Sequence, residues 1–148
     1  MNYNEILIKY IDQCPYDEPI FIEEIKLYFK KIIQTNFENV FKNIYVYINR
    51  LVKKNLLSQF IKGVYYKPLN GIFGNKLLNI NKVIEKKYIY DKNGKKGYFT
   101  GAYLFNKIGL TTQIPKEILI VTNECPNANE YNNKSLGVTI RKPIIIID

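Results

Sequence analysis

The sequence predicts an α+β fold in two parts: three helices closed by a β-hairpin, then a smaller mixed α+β region. Apolar residues recur at helical spacing in three runs before residue 55, and the third run is the most regular in the chain. Directly after it, residues 57–68, LSQFIKGVYYKP, read as two short strands around Lys62-Gly63. The third observation is electrostatic. From Asn39 to Ile84 there is no Asp or Glu against eight basic residues, whereas residues 1–38 hold four lysines against seven acids.

Residues 3–13 place Ile6, Leu7, Tyr10 and Ile11 on one helical face, and Pro15 and Pro19 end that helix. Pro19-Ile20-Phe21 reads as a short strand. The second helix, residues 22–33, has Ile22, Ile25, Phe29 and Ile32 or Ile33 on one side and acids in its first turn, where the helix dipole favours them. Thr35 or Asn36 caps a third helix over residues 37–55. The hairpin follows, and LNGIFGN after Pro68 reads as a linker. Residues 76–90 form a further helix, and DKNGKKG is a basic turn. Tyr98-Phe99 is strand-like, and Thr100 caps a short helix that ends at Gly109. Residues 117–123 form an apolar strand, 124–137 a polar loop, and 138–148 one or two more strands. The expected domains are 1–69 and 76–148, the second ending on a bare apolar strand as a truncated piece of something longer would.

Composition narrows the function classes. The chain has no histidine, which removes Ser-His and Cys-His nucleophilic pairs, His-ligated zinc and the commonest general base. The acids after Ile84 have no spacing that suggests a metal site, and no glycine-rich phosphate loop is present. Cys14 and Cys125 have no CxxC partner, so neither zinc nor a disulfide framework is expected. No window approaches the ~18 unbroken apolar residues of a membrane span. The N-terminus has no signal-peptide core, so a cytoplasmic protein without enzymatic activity, metal or cofactor is expected.

The charge pattern points instead to phosphate. Net charge is +9, and residues 39–84 alone contribute +8. At 100° per residue, Val40, Ile44, Ile48 and Leu51 of the third helix form the core stripe, with Tyr47 beside it. Lys42, Val46, Asn49 and Lys53 lie opposite, flanked by Asn43 and Arg50. Asparagine is a poor helix former but can pair bidentately with adenine, as arginine can with guanine. The rival is a merely solvated face. Three helices followed by a hairpin is the winged helix-turn-helix order. In that reading the hairpin is a wing rather than a cap on the core. The expected DNA-binding residues are then Asn43, Val46, Asn49 and Arg50 near base edges, and Lys42, Lys53, Lys54 and Lys62 on phosphates.

At Lys62-Gly63-Val64-Tyr65-Tyr66-Lys67-Pro68, and again from Thr100-Gly101 through Gln113-Ile114-Pro115, the chain resembles the AbiEi-type antitoxins of abortive-infection (type IV) toxin–antitoxin systems. The resemblance covers most of the chain, and its second stretch is the more specific. It implies a repressor that binds double-stranded DNA of its own promoter, with a nucleotidyltransferase-like toxin as partner and no cofactor. Gln59 and Lys62 stand where arginines are usual around such a wing. The alternative function is a protein-interaction module that binds a partner toxin and touches DNA only non-specifically. Thr100-Gly101 reads either as an anion-binding helix start or as a plain N-cap. Tyr98, Phe99, Tyr103 and Phe105 read either as a base-stacking platform or as core, and their alternation with small residues favours core. Oligomeric state is not set by the sequence.

Overall fold

Helix α1 (Tyr3–Gln13) starts at Asn2, whose side-chain oxygen accepts the Asn4 N–H at 3.1 Å. Pro15 prevents its continuation, and the chain turns through Asp17 at φ +58° into β1 (Ile20–Phe21). Helix α2 (Ile22–Ile32) opens with the Glu24 carboxylate accepting the Phe21 N–H at 3.0 Å, which satisfies one otherwise orphaned donor. Helix α3 (Phe37–Lys53) buries Val40, Ile44, Ile48 and Leu51, as their spacing requires. These pack with Leu7 of α1 and Ile25 and Phe29 of α2 into one core. The structure, a computed structural model, describes residues 2–33, 37–126 and 129–148. The expected cap at Thr35 or Asn36 lies outside the described residues.

The end of α3 has a defined geometry. Asn55 sits at φ +58°, its N–H donates to the Val52 carbonyl at 3.0 Å, and the Leu56 N–H reaches Leu51 at 3.0 Å. This double closure is the Schellman arrangement, and asparagine is one of the few residues that tolerates its left-handed position. Strands β2 (Ser58–Ile61) and β3 (Val64–Tyr66) then form the hairpin, with a bulge between Gln59 and Ile61. β3 also pairs with β1, so the sheet order is β1-β3-β2.

All three residues of β3 are buried, and the Ile22 N–H donates to the Gly63 carbonyl at 2.9 Å. The turn at Lys62-Gly63 therefore lies against the start of α2, and the hairpin closes the core. Lys62 is the exposed side chain of the turn.

The expected linker after Pro68 is instead a second hairpin, β4 (Asn70–Gly71) with β5 (Gly74–Asn75), whose two turn residues are Ile72 and Phe73. Glycines on both sides of the turn made it read as flexible, but they serve a tight reversal. The Lys76 N–H closes the hairpin onto the Leu69 carbonyl at 2.9 Å, and Lys76 Nζ pairs with Asp17 at 2.8 Å. The chain divides into two units, Met1–Asn79 and Ile80–Asp148, so residues 76–79 belong with the first unit rather than the second.

In the second unit α4 (Ile80–Ile84) runs into a π-helical turn, Glu85–Ile89, and buries Val83, Ile84, Tyr88 and Ile89. The helix is thus shorter than the expected 76–90: Leu77 is exposed, and Tyr90 begins a strand. Strands β6 (Tyr90–Asp91) and β7 (Gly94–Lys95) form the basic turn, where the Asn93 N–H bonds the Asp91 carboxylate at 2.7 Å. β8 (Gly97–Thr100), α5 (Gly101–Lys107), β9 (Ile118–Thr122), β10 (Glu130–Asn133) and β11 (Val138–Arg141) complete the unit. The four-stranded sheet has the order β10-β11-β9-β8, with β11 and β9 parallel and the other pairs antiparallel.

Two corrections concern this sheet. The expected polar loop 124–137 contains β10, an edge strand whose ladder bonds go to β11 alone. Its sequence, Glu-Tyr-Asn-Asn, has one aromatic and no β-branched residue, so nothing local announces a strand. The apolar tail is not a strand. β11 stops at Arg141, Pro143 supplies no ladder donor, and Ile144–Ile146 are exposed. The Asn123 side chain holds the tail by accepting the Ile147 N–H at 3.1 Å and donating to its carbonyl at 2.9 Å. Among the described residues no helix is long and apolar enough to cross a membrane.

Candidate nucleic-acid interface

The outward face of α3 follows from the inward one. With Val40, Ile44, Ile48 and Leu51 buried, Lys42, Val46, Asn49 and Lys53 fall in an arc of about 60° on the other side. They are exposed, as are Asn43, Arg50, Lys54 and Lys62. From Lys42 to Lys53 the helix rises about 16 Å, at ~1.5 Å per residue. The major groove is wide enough to admit such a helix. Lys42, Lys53, Lys54 and Lys62 have no carboxylate partner among the described residues. The Arg50 guanidinium lies 5.7 Å from the Tyr47 ring centroid. This cation–π contact sets the arginine near a ring of its own helix while the residue stays exposed.

Two residues of this face were not singled out from sequence. Lys26 projects from α2, with its ammonium 5.7 Å from the Tyr45 ring centroid and 5.9 Å from that of Phe41. It adds a cation beside α3 from the segment that is acidic overall. Only the packing of α2 against α3 reveals it. Glu38 stands in the first turn of α3, one turn before Lys42 on the same exposed side, where the dipole favours a carboxylate. The positive potential of the face therefore grows toward its C-terminal half, at Asn49, Arg50 and Lys53.

Not every cation in the acid-free segment faces outward. Lys67 is buried, donates to the Cys14 carbonyl at 3.0 Å and lies 4.2 Å from the Tyr16 ring centroid. It satisfies a carbonyl just past the end of α1, where a positive charge is favoured. Lys76 is paired with Asp17. Apart from Lys76, which is exposed but paired, the exposed cations of this segment within the first unit are those of α3 and its flanks, together with Lys62.

The second unit presents a different surface. Thr100 occupies the N-cap position of α5 but makes no side-chain cap bond, and Gly101 follows at φ +67°. Tyr98, Phe99, Tyr103 and Phe105 are not core. No residue of α5 is buried, and Tyr98 and Phe105 are exposed. Phe99 and Tyr103 pack at 5.0 Å between ring centroids, and Lys107 Nζ lies 4.2 Å from the Phe99 ring. The alternation that suggested core reflects a sheet edge and a short helix packed on one side only. The loop after α5 carries Ile108, Leu110 and Ile114 exposed, and the Asn106 side chain braces it by donating to the Gln113 carbonyl at 2.9 Å.

The groups whose pKa values are shifted all lie elsewhere. Burial raises Tyr10, with the nearby Glu24 charge acting in the same direction. Burial also raises Tyr65 and Tyr88, the latter in spite of the Asn133 amide donating to its hydroxyl at 2.9 Å. The described residues include no group of three or more His, Cys, Asp or Glu placed to hold a metal ion.

Residues 26–139 match the model of a family of unknown function, DUF6088, and the chain belongs to that family. No curated protein and no solved structure matches the chain.

Proposed function

We propose that this member of DUF6088 is a DNA-binding regulator built on a winged helix-turn-helix, with α3 entering the major groove. The observation that carries the reading is the outward face of α3, where Lys42, Asn49, Arg50 and Lys53 stand exposed on an apolar-backed helix. The element order α1-β1-α2-α3-β2-β3, with the sheet ordered β1-β3-β2, supports the winged-helix part of the reading. Asn49 and Arg50 are the side chains for base edges, and Lys42, Lys53, Lys54 and Lys62 those for phosphates. Together with the resemblance at residues 62–68 and 100–115, this makes an autorepressing antitoxin of a toxin–antitoxin pair the leading biological role.

Anisotropy titration against duplex DNA from upstream of the chain's own gene tests it, with a scrambled duplex of equal composition beside it at two salt concentrations. Preference for the upstream duplex that survives added salt is the expected result. Equal binding to both duplexes that collapses with salt removes the regulator reading and leaves a generic cationic surface.

One observation favours a second reading. Phe105, Ile108, Leu110 and Ile114 are exposed on a braced loop in the stretch that carries the more specific resemblance. That surface suits a protein-interaction module, which predicts co-purification with a partner protein that Ile114→Asp abolishes while DNA binding is unchanged.

A further inference from the structure

We propose that the first unit binds a small apolar monocarboxylate in the cleft between α1 and the C-terminal end of α3, with the Lys67 ammonium as its counter-ion. The cleft has a volume of about 210 Å³ and an apolar wall of Ile8, Ile11, Leu51 and Leu56. That is below the roughly 300–1,000 Å³ of sites for drug-sized ligands. An apolar cavity of ~150 Å³ holds benzene, so this one has room for roughly eight non-hydrogen atoms.

Lys67 sets the charge of the ligand. It lines the cleft yet is only 9% exposed, and an ammonium taken out of water needs compensation. One of its three donors goes to the Cys14 carbonyl at 3.0 Å, and the Tyr16 ring centroid lies 4.2 Å away. The C-terminus of α1, which Cys14 caps, adds about half a negative charge. None of these is a full anion, and among the described residues no carboxylate pairs with Lys67. Asp17, whose N–H donates to the Lys67 carbonyl at 3.1 Å, is paired with Lys76 instead. A buried cation with a donor to spare, beside an apolar wall, is complemented by a carboxylate on a short hydrocarbon body.

The rest of the lining limits that ligand to one charge. Asp12 is exposed in the same lining, so a second negative charge, as in a dicarboxylate or a phosphate monoester, meets a carboxylate. Asn55 and Asn70 bring side-chain amides to the cleft. The site is also formed in advance. The left-handed Asn55 closes α3 and the Cys14 carbonyl holds Lys67, so binding has little left to order. The inference needs no DNA and stands apart from the reading of α3's outward face.

Backbone amide shifts of the whole isotope-labelled chain, followed during titration with sodium isocaproate at constant ionic strength, test it. A ligand of this size is expected to bind saturably with a dissociation constant of ~1 mM, moving the amides of Asp12, Asn55 and Asn70. Isocaproamide, of the same shape without the charge, should bind at least ~10-fold more weakly, and the corresponding amine should not saturate. Lys67→Met should weaken isocaproate binding by at least ~10-fold, and Leu56→Asp, at an exposed position of the wall, should do the same. Lys67→Met also leaves the Cys14 carbonyl without its donor, so melting of each variant is measured beside the wild type. The wild-type comparison of acid with amide decides the matter whether or not that variant folds. No saturable shift by about 20 mM, far above the expected constant, overturns the inference. Equal binding of acid and amide overturns it too, since Lys67 then takes no part. Saturable binding of the amine does so as well, because Asp12 is then the anchor. So do shifts confined to Lys42, Asn49 and Lys53, which make isocaproate a counter-ion for the exposed cations of α3 and nothing more.

Discussion

Gly97 shows how much one residue can decide. An added Cβ there runs into the Tyr88 carbonyl oxygen, the Thr122 side chain and the Val121 carbonyl, two of them backbone groups that cannot step aside. Gly97→Ala should therefore destabilise the second unit by about 3 kcal/mol or more, the upper end of overpacking costs. Urea unfolding followed by circular dichroism measures it, and a loss below about 0.5 kcal/mol would mean that the sheet relaxes around the methyl group. On α3 two neighbouring substitutions should separate two kinds of contact. Asn49→Ala should cost sequence preference, about 1–3 kcal/mol against the wrong base, with little change in salt dependence. Lys53→Ala should weaken binding to every duplex alike and reduce the salt slope by about 1. If Asn49→Ala leaves the preferred sequence unaltered, the groove-facing side of α3 has been misassigned.

At the scale of elements, what was legible in sequence followed burial. α1, α2 and α3 each bury one stripe against a single core, so a 3.6-residue apolar period survives in the sequence and places them closely. The same period gives the outward face of α3 by subtraction. Two elements whose reason is not a buried stripe were illegible. β10 is defined by its bonds to β11 and not by its side chains, and β4–β5 buries neither Ile72 nor Phe73. Lys67 read as part of a cationic surface because sequence cannot show that the Cys14 carbonyl lies within its reach 53 positions away. The β2–β3 hairpin poses the remaining question at this scale, since it closes the core and still shows Lys62 to solvent. Gly63, at φ +83° with Ile22 3.4 Å from an added Cβ, carries the structural part. Gly63→Ala should cost about 1–2 kcal/mol of stability through left-handed strain. Lys62→Ala should leave stability within about 0.5 kcal/mol and, where the turn meets a phosphate, lower the salt slope of binding by about 1. A Lys62→Ala variant with an unchanged slope makes the hairpin a cap alone.

The whole molecule has an unusual relation to pH. Without histidine, no side chain of that type changes charge between pH 6 and 8, so stability should be nearly flat across that window. The alkaline side is different. Tyr65 and Tyr88 are buried in the two separate units, Tyr10 is half-buried, and burial holds all three above the usual tyrosine value near 10. In each case the folded chain keeps a proton that the unfolded chain releases. The stability these phenols contribute is therefore fully present below about pH 10 and is lost as pH rises through the folded-state values. Each tyrosine that ionises only on unfolding contributes a slope of about −1.4 kcal/mol per pH unit above that point. Urea midpoints measured from pH 6 to 11 should thus run level and then fall, with tyrosinate absorbance appearing together with unfolding. Tyr88→Phe should make the fall shallower by one proton's worth. It should also cost some stability at neutral pH, because the buried Asn133 amide loses the acceptor it bonds at 2.9 Å. Tyrosines that all titrate near pH 10 while the chain remains folded would show these rings to be in contact with water, and the burial of Tyr65 and Tyr88 in their units would fail with it.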